Sequence, residues 1–97
     1  MQVGGFDWDD GNWPKCAKHG LSKAEIEFAL GHEPLVLPDR KNGPETRFNA
    51  IGRGATGRHL FIVFAIREVA GRDLIRPISA RPMHGKEVSH YERENRA

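Results

Sequence analysis

Leu60-Phe61-Ile62-Val63-Phe64-Ala65-Ile66 is the stretch that decides the fold. Seven consecutive apolar residues, most of them β-branched or aromatic, read as a strand buried on both faces at the centre of a sheet. The run falls far short of the roughly 20 residues that a membrane helix requires. Downstream, Ala70-Gly71-Arg72-Asp73 forms a hairpin turn, and Leu74–Arg81 returns beside the central strand. Upstream, Gly54–Gly57 makes a turn back to Arg47–Arg53, where Phe48, Ala50 and Gly52 alternate with Arg47, Asn49, Ile51 and Arg53. Pro34 and Pro38 bracket Leu35-Val36-Leu37, a short strand placed at a sheet edge because proline cannot donate to a ladder. Residues 39–44, with Asn42-Gly43-Pro44, form a polar turn.

Helices flank this sheet. Ser22 is placed to cap a helix running to Gly31, with Glu25 completing a capping box and Leu21 and Ile26 forming a hydrophobic staple. Gly31 is positioned to stop that helix in a left-handed turn. Before it, Phe6-Asp7-Trp8-Asp9 has the period-two pattern of an extended segment, and Pro14 defers a first short helix to Lys15–His19. After Pro82, residues 84–95 are helical, with Val88 and Tyr91 on one face. The expectation is one α+β domain over residues 1–97: two N-terminal helices, an antiparallel sheet of three to four strands and a C-terminal helix.

The chain has 97 residues and a net charge of +2, but the charge is divided unevenly. Residues 46–86 hold eight basic side chains against two acidic ones, whereas residues 1–45 hold five basic against eight acidic. Ten of the fifteen basic residues are arginine, whose planar fork of donors matches phosphate geometry, so the basic half favours a polyanionic partner. Asp7, Asp9 and Asp10 occupy the place where a secretory signal carries positive charge. The lone Cys16 cannot form an internal disulfide and suits a reducing cytoplasm. Cys16-x-x-His19 is half of a zinc pattern without a second pair, and His84 and His90 point in different directions on their helix. Neither metal nor cofactor is expected, and no association with membranes.

Three stretches carry more than general chemistry. The first is Phe6-Asp7-Trp8-Asp9 with Asn12, Lys15 and Lys18-His19-Gly20-Leu21-Ser22. The second is Glu45-Thr46-Arg47-Phe48 with Ile51-Gly52-Arg53, and the third is Arg76-Pro77-Ile78-Ser79-Ala80-Arg81 with Glu87 and Tyr91-Glu92. In this order and spacing the chain resembles the BrnT toxins, a branch of the RelE-like ribonuclease group. Pro14 and Cys16 depart from the family's usual first helical stretch. The resemblance implies a RelE-like fold and a ribosome-independent endoribonuclease held inactive by a BrnA-like antitoxin. That antitoxin is usually a ribbon-helix-helix protein, through which operator DNA would be reached only indirectly. The resemblance also favours Lys18 and His19 as site members and Lys15 as an RNA contact.

RNA cleavage without metal needs help in removing the 2′-hydroxyl proton, cations around the phosphorane, and a proton for the leaving 5′-oxygen. Arg81 is the first candidate for phosphate contact, with a salt bridge to Glu87 or Asp73 as its structural alternative. Glu87 and Tyr91 stand one helical turn apart and project together. His19 can titrate near neutrality. Arg47 and Arg53 share a strand face and extend the basic surface, whereas Arg76 and Arg81, five residues apart, share one only if Pro77 marks a bulge. Trp8 can stack on an unpaired base or pack in the core. No role is assigned to Met83-His84. Two further readings stand beside the ribonuclease: a catalytically inactive binding module serving as antitoxin partner or co-repressor, and a non-cleaving RNA-binding domain.

Overall fold

The computed structural model describes residues 4–39 and 46–94. In chain order it contains a 3-10 turn (Lys15–Ala17), α1 (Lys23–Gly31), β1 (Leu35–Pro38), β2 (Arg47–Arg53), β3 (His59–Val69), β4 (Arg72–Pro82) and α2 (Gly85–Glu94). The four strands form one antiparallel meander in the order β1-β2-β3-β4. The class is the α+β expected, with one difference: the segment after Pro14 closes a single 3-10 turn, so one α-helix precedes the sheet. The expected turn at Asn42-Gly43-Pro44 lies outside the described residues.

β3 is an interior strand, and its two faces differ. Leu60, Ile62 and Phe64 are fully buried and pack with Ile26, Ala29 and Leu30 of α1 in the core, whereas Phe61 and Val63 on the other face are only partly covered. The apolar run therefore overstates how much lies above the second face. There α2 contributes no buried residue. Core packing continues beneath the N-terminal segment. Phe6 bridges Ile75 in parallel pairing, and the Asp7 N–H donates to the Ile75 carbonyl, so this segment lies along the outer edge of β4. Trp8, Trp13 and Cys16 pack against the core, and burial pushes the Cys16 thiol pKa up.

α1 begins as the sequence indicates. Ser22 Oγ accepts from the Glu25 N–H, and Leu21 and Ile26 are both buried. The Glu25 carboxylate, however, reaches across to Arg58, 2.8 Å from both Nε and Nη2, which holds its pKa below the usual carboxylate range. The helix end also differs. Gly31 is the last helical residue without a positive φ, and the left-handed residue is Glu33, at φ +53°. His32 Nδ1 donates to the Phe28 carbonyl at 2.7 Å, supplying the orphan carbonyl that a glycine cap would otherwise serve. Pro34 then disfavours right-handed helical backbone at Glu33.

The β3–β4 hairpin turns on two residues, Ala70 and Gly71, both at positive φ as such a tight turn requires. Further along, Val63 pairs with Ser79 but Phe64 pairs with Pro77, so Ile78 is the extra residue of a β-bulge. The bulge is tied down by Asn12, which is 2% exposed. Its Nδ2 donates to the Pro77 and Asp7 carbonyls, both at 2.9 Å, while its Oδ1 accepts from the Asp9 N–H at 2.8 Å.

Candidate functional site

Strand register assigns the arginines to faces. Paired residues in an antiparallel ladder project to the same side. Ile62 stands opposite Ala50 and Ala80 on the core face. On the other face His59 pairs with Arg53, Phe61 with Ile51 and Arg81, and Ala65 with Arg47 and Arg76. The bulge at Ile78 thus satisfies the condition set by the sequence, and Arg76 and Arg81 share the face that also carries Arg47 and Arg53.

That face divides into two ends. At one, Arg47 and Arg76 line a small cleft with Lys15, Asn12 and Ile78. Arg76 is bound to the acidic N-terminal segment: its Nη1 and Nη2 lie 2.9 Å from the two Asp9 oxygens, and Nη1 lies 3.2 Å from Asp7. Arg67 shares Asp7 at 3.2 Å. The hydrogen bond from Arg76, followed by the Gly11 N–H, holds the Asp9 pKa down. Part of the basic excess of residues 46–86 is therefore neutralised by the acidic excess of residues 1–45.

At the other end α2 leans over the sheet. Arg81 Nη1 and Nη2 donate to the two Glu87 oxygens at 2.8 and 2.9 Å, a bidentate pair, and the guanidinium carbon lies 4.9 Å from the centre of the Phe61 ring. Glu87 Oε1 also accepts from the His84 N–H at 2.9 Å, which caps the start of α2. These contacts, Arg81 first and His84 second, pull the Glu87 pKa down to about 2. Met83 N–H donates to the His59 carbonyl, so the Met83-His84 pair continues the β3–β4 ladder and opens the helix. Glu87 and Tyr91 project together into a cleft of about 510 Å³ walled by Leu35, Ile51, Phe61 and Met83.

Not every candidate reaches this corner. Lys18 and His19 lie exposed between the 3-10 turn and α1; among the described residues their side chains have no partner, and they line none of the clefts described here. Trp8 donates from Nε1 to Glu27 at 2.8 Å and meets Trp13 edge-on at 5.4 Å, with the Lys23 ammonium over both rings. It is held in the packing between the N-terminal segment and α1. Among the described residues, no three His, Cys, Asp or Glu side chains converge as a metal centre would require, and no helix is long and apolar enough to cross a membrane. Sequence reasoning missed His59. Its ring lies 5.7 Å from that of Tyr91, and its Nε2 is buried without a hydrogen-bond partner. Register against Arg53 and contact with a helix 32 residues later produce that placement, and no local motif announces it.

Comparison with known families supplies what geometry alone does not. The family profile described as ribonuclease toxin, BrnT, of type II toxin-antitoxin system matches residues 8–87. The chain belongs to the BrnT family. Its members are ribonuclease toxins, which implies an RNA substrate and an antitoxin partner. The match runs from Trp8 to Glu87 and so includes both ends of the basic face. No curated protein matches this BrnT chain significantly.

Proposed function

We propose that this toxin cleaves single-stranded RNA without a ribosome or a metal ion, at the corner formed by Arg81, Glu87 and Tyr91. The observation that carries the reading is the bidentate Arg81–Glu87 pair on the basic face, with Glu87 and Tyr91 sharing one cleft. Glu87 takes two of the five guanidinium donors and the Pro82 carbonyl a third, leaving two for phosphate oxygens. With a pKa near 2, Glu87 stays ionised at neutral pH, so its part is to aim Arg81 and to anchor α2.

The reaction is attack of the 2′-oxygen on phosphorus. The 2′-hydroxyl proton passes to water, a P–O bond forms, and the bond to the 5′-oxygen breaks as that oxygen takes the Tyr91 hydroxyl proton. Arg81 stabilises the charge that collects on the phosphorane. Lys15, Arg47 and Arg53 extend the phosphate path along the same face, and Arg76, held by Asp7 and Asp9, ties the N-terminal segment to it. Lys18 and His19 remain outside this corner. The partner in this proposal is a BrnA-like ribbon-helix-helix antitoxin that masks the basic face and links the complex to operator DNA. The setting is the cytoplasm, which suits a single buried thiol and an RNA substrate.

The test is cleavage by the chain freed of antitoxin. Wild type degrades single-stranded RNA in chelator and arrests growth when induced alone, while Arg81→Ala does neither. Arg81 and Glu87 are about one-third exposed, 33% and 35%, so the pair is worth at most about 1 kcal/mol. With the Phe61 contact adding about 0.5–1 kcal/mol, the variant should melt no more than about 16 °C lower. Intact RNA and continued growth with wild type would favour an inactive binding partner instead.

A further inference from the structure

A second, smaller cleft opens on the far side of Tyr91, between the end of α1, the turn before β1 and the start of β3. It measures about 260 Å³ and is lined by Phe28, His32, Glu33, Arg53, His59 and Tyr91. That is the liquid volume of roughly nine waters, a fit for one small planar group. Four of the six side chains are rings. Phe28 and His32 are stacked, centroids 3.8 Å apart and planes within 14°, and His59 meets Tyr91 at 65°.

Polar groups surround these rings. His59 Nε2 is buried beneath the cleft without a partner, a state that ordinarily costs stability. Because a carbonyl only accepts, His32 Nδ1 carries the proton given to Phe28, and in the neutral ring Nε2 remains an acceptor. Arg53 is exposed and, among the described residues, has no side-chain partner. Glu33 holds a left-handed φ of +53°, which is unfavourable for a residue with a Cβ, and sets its carboxylate-bearing side chain on the cleft.

We propose that this cleft is a nucleobase subsite that takes an unpaired guanine next to the scissile phosphate. The inference rests on the RNA-cleaving reading above and deepens it. Aromatic rings accept the face of any base. The choice of guanine comes from the polar edges. Its N1–H and amino group donate to a carboxylate such as Glu33, and its O6 and N7 accept from an arginine fork such as Arg53. Tyr91 and Ile51 line both clefts, so a base seated here adjoins the larger cleft that holds Glu87, the partner of Arg81.

The free chain is titrated with guanosine and, separately, uridine at millimolar concentration while the aromatic resonances are followed by NMR. Nucleosides without phosphate report base recognition apart from charge. Guanosine should shift Phe28 and His59 resonances and uridine should not, and Phe28→Ala should remove the response. With RNA oligomers differing at one base beside the cut, Phe28→Ala and Glu33→Gln should lower kcat/KM on the guanine substrate between about fivefold and a hundredfold. The loss should fall on KM, and the gap between guanine and uracil substrates should close. Equal shifts with both nucleosides, shifts confined to other residues, or variants that keep the guanine preference would overturn the subsite while leaving the nuclease intact. Guanosine shifts in a chain that never cleaves RNA would instead preserve the subsite and sink the nuclease.

Discussion

Replacing Asn12 with alanine should destabilise the toxin by about 2–5 kcal/mol. Asn12 links three pieces of backbone: the extended segment at Asp7, the turn at Asp9 and the bulge at Pro77. The bond to Pro77 is buried, so alanine leaves a carbonyl away from water without a donor, at a cost of about 1–3 kcal/mol. The other two bonds are only partly buried and can be replaced by water, which limits each to roughly 0.5–1 kcal/mol. Equilibrium urea unfolding measures the change, with the slope m checked for constancy so that the shift in midpoint reports stability. Asn12→Asp should be no better. It keeps the acceptor for the Asp9 N–H but loses both donations and places a charge against two carbonyls. A change below about 0.5 kcal/mol for Asn12→Ala would refute the reasoning, since it would mean that water or local rearrangement serves the Pro77 carbonyl equally well.

Two further perturbations probe the scaffold. At Gly52 an added Cβ would lie 2.9 Å from the Ala29 carbonyl oxygen and 3.2 Å from Pro34 Cβ, so Gly52→Ala should cost about 1–3 kcal/mol in thermal or urea unfolding; an unchanged midpoint would mean that α1 is not packed on β2 at this point. The folded-state pKa of Glu87 lies below its unfolded value, so its contribution is present above about pH 4.5 and is lost as pH falls towards 2. Glu87→Gln should therefore flatten the acid limb of the stability profile without abolishing it, because Asp9 and Glu25 are also held low by arginines; a limb as steep as wild type would contradict the pairing.

What was legible in the sequence follows from how locally each feature is determined. The start of α1 and the bounds of β2 are written in neighbouring residues, Ser22 with Leu21 and Ile26 in one case and the Phe48, Ala50, Gly52 alternation in the other. The common face of Arg76 and Arg81 was legible only as a condition, because a bulge depends on the partner strand. Asn12 supplies the contact that fixes it, 65 residues away in the chain. Long-range partners account for the rest. Glu25 fits a capping box by spacing, yet a bidentate arginine from the β2–β3 turn outcompetes a single backbone N–H. Gly31 fits a helix stop by type, yet the His32 ring meets the orphan carbonyl first. Asp7 and Asp9 looked like part of a separate acidic half, and only the parallel pairing of Phe6 with Ile75 brings them onto Arg67 and Arg76. His59 gained its place from strand register and a C-terminal helix together.

Everything proposed for the Arg81–Tyr91 corner turns on metal-free attack by the 2′-oxygen. Its most direct test compares an RNA oligomer with the same oligomer carrying a single 2′-deoxy sugar at the cut, both incubated in chelator with the free toxin. The all-ribose strand should be cut to products with 2′,3′-cyclic phosphate and 5′-hydroxyl ends, with no cut at the deoxy position. Cleavage at the deoxy sugar, 5′-phosphate ends, or activity that returns only with divalent ions would contradict it.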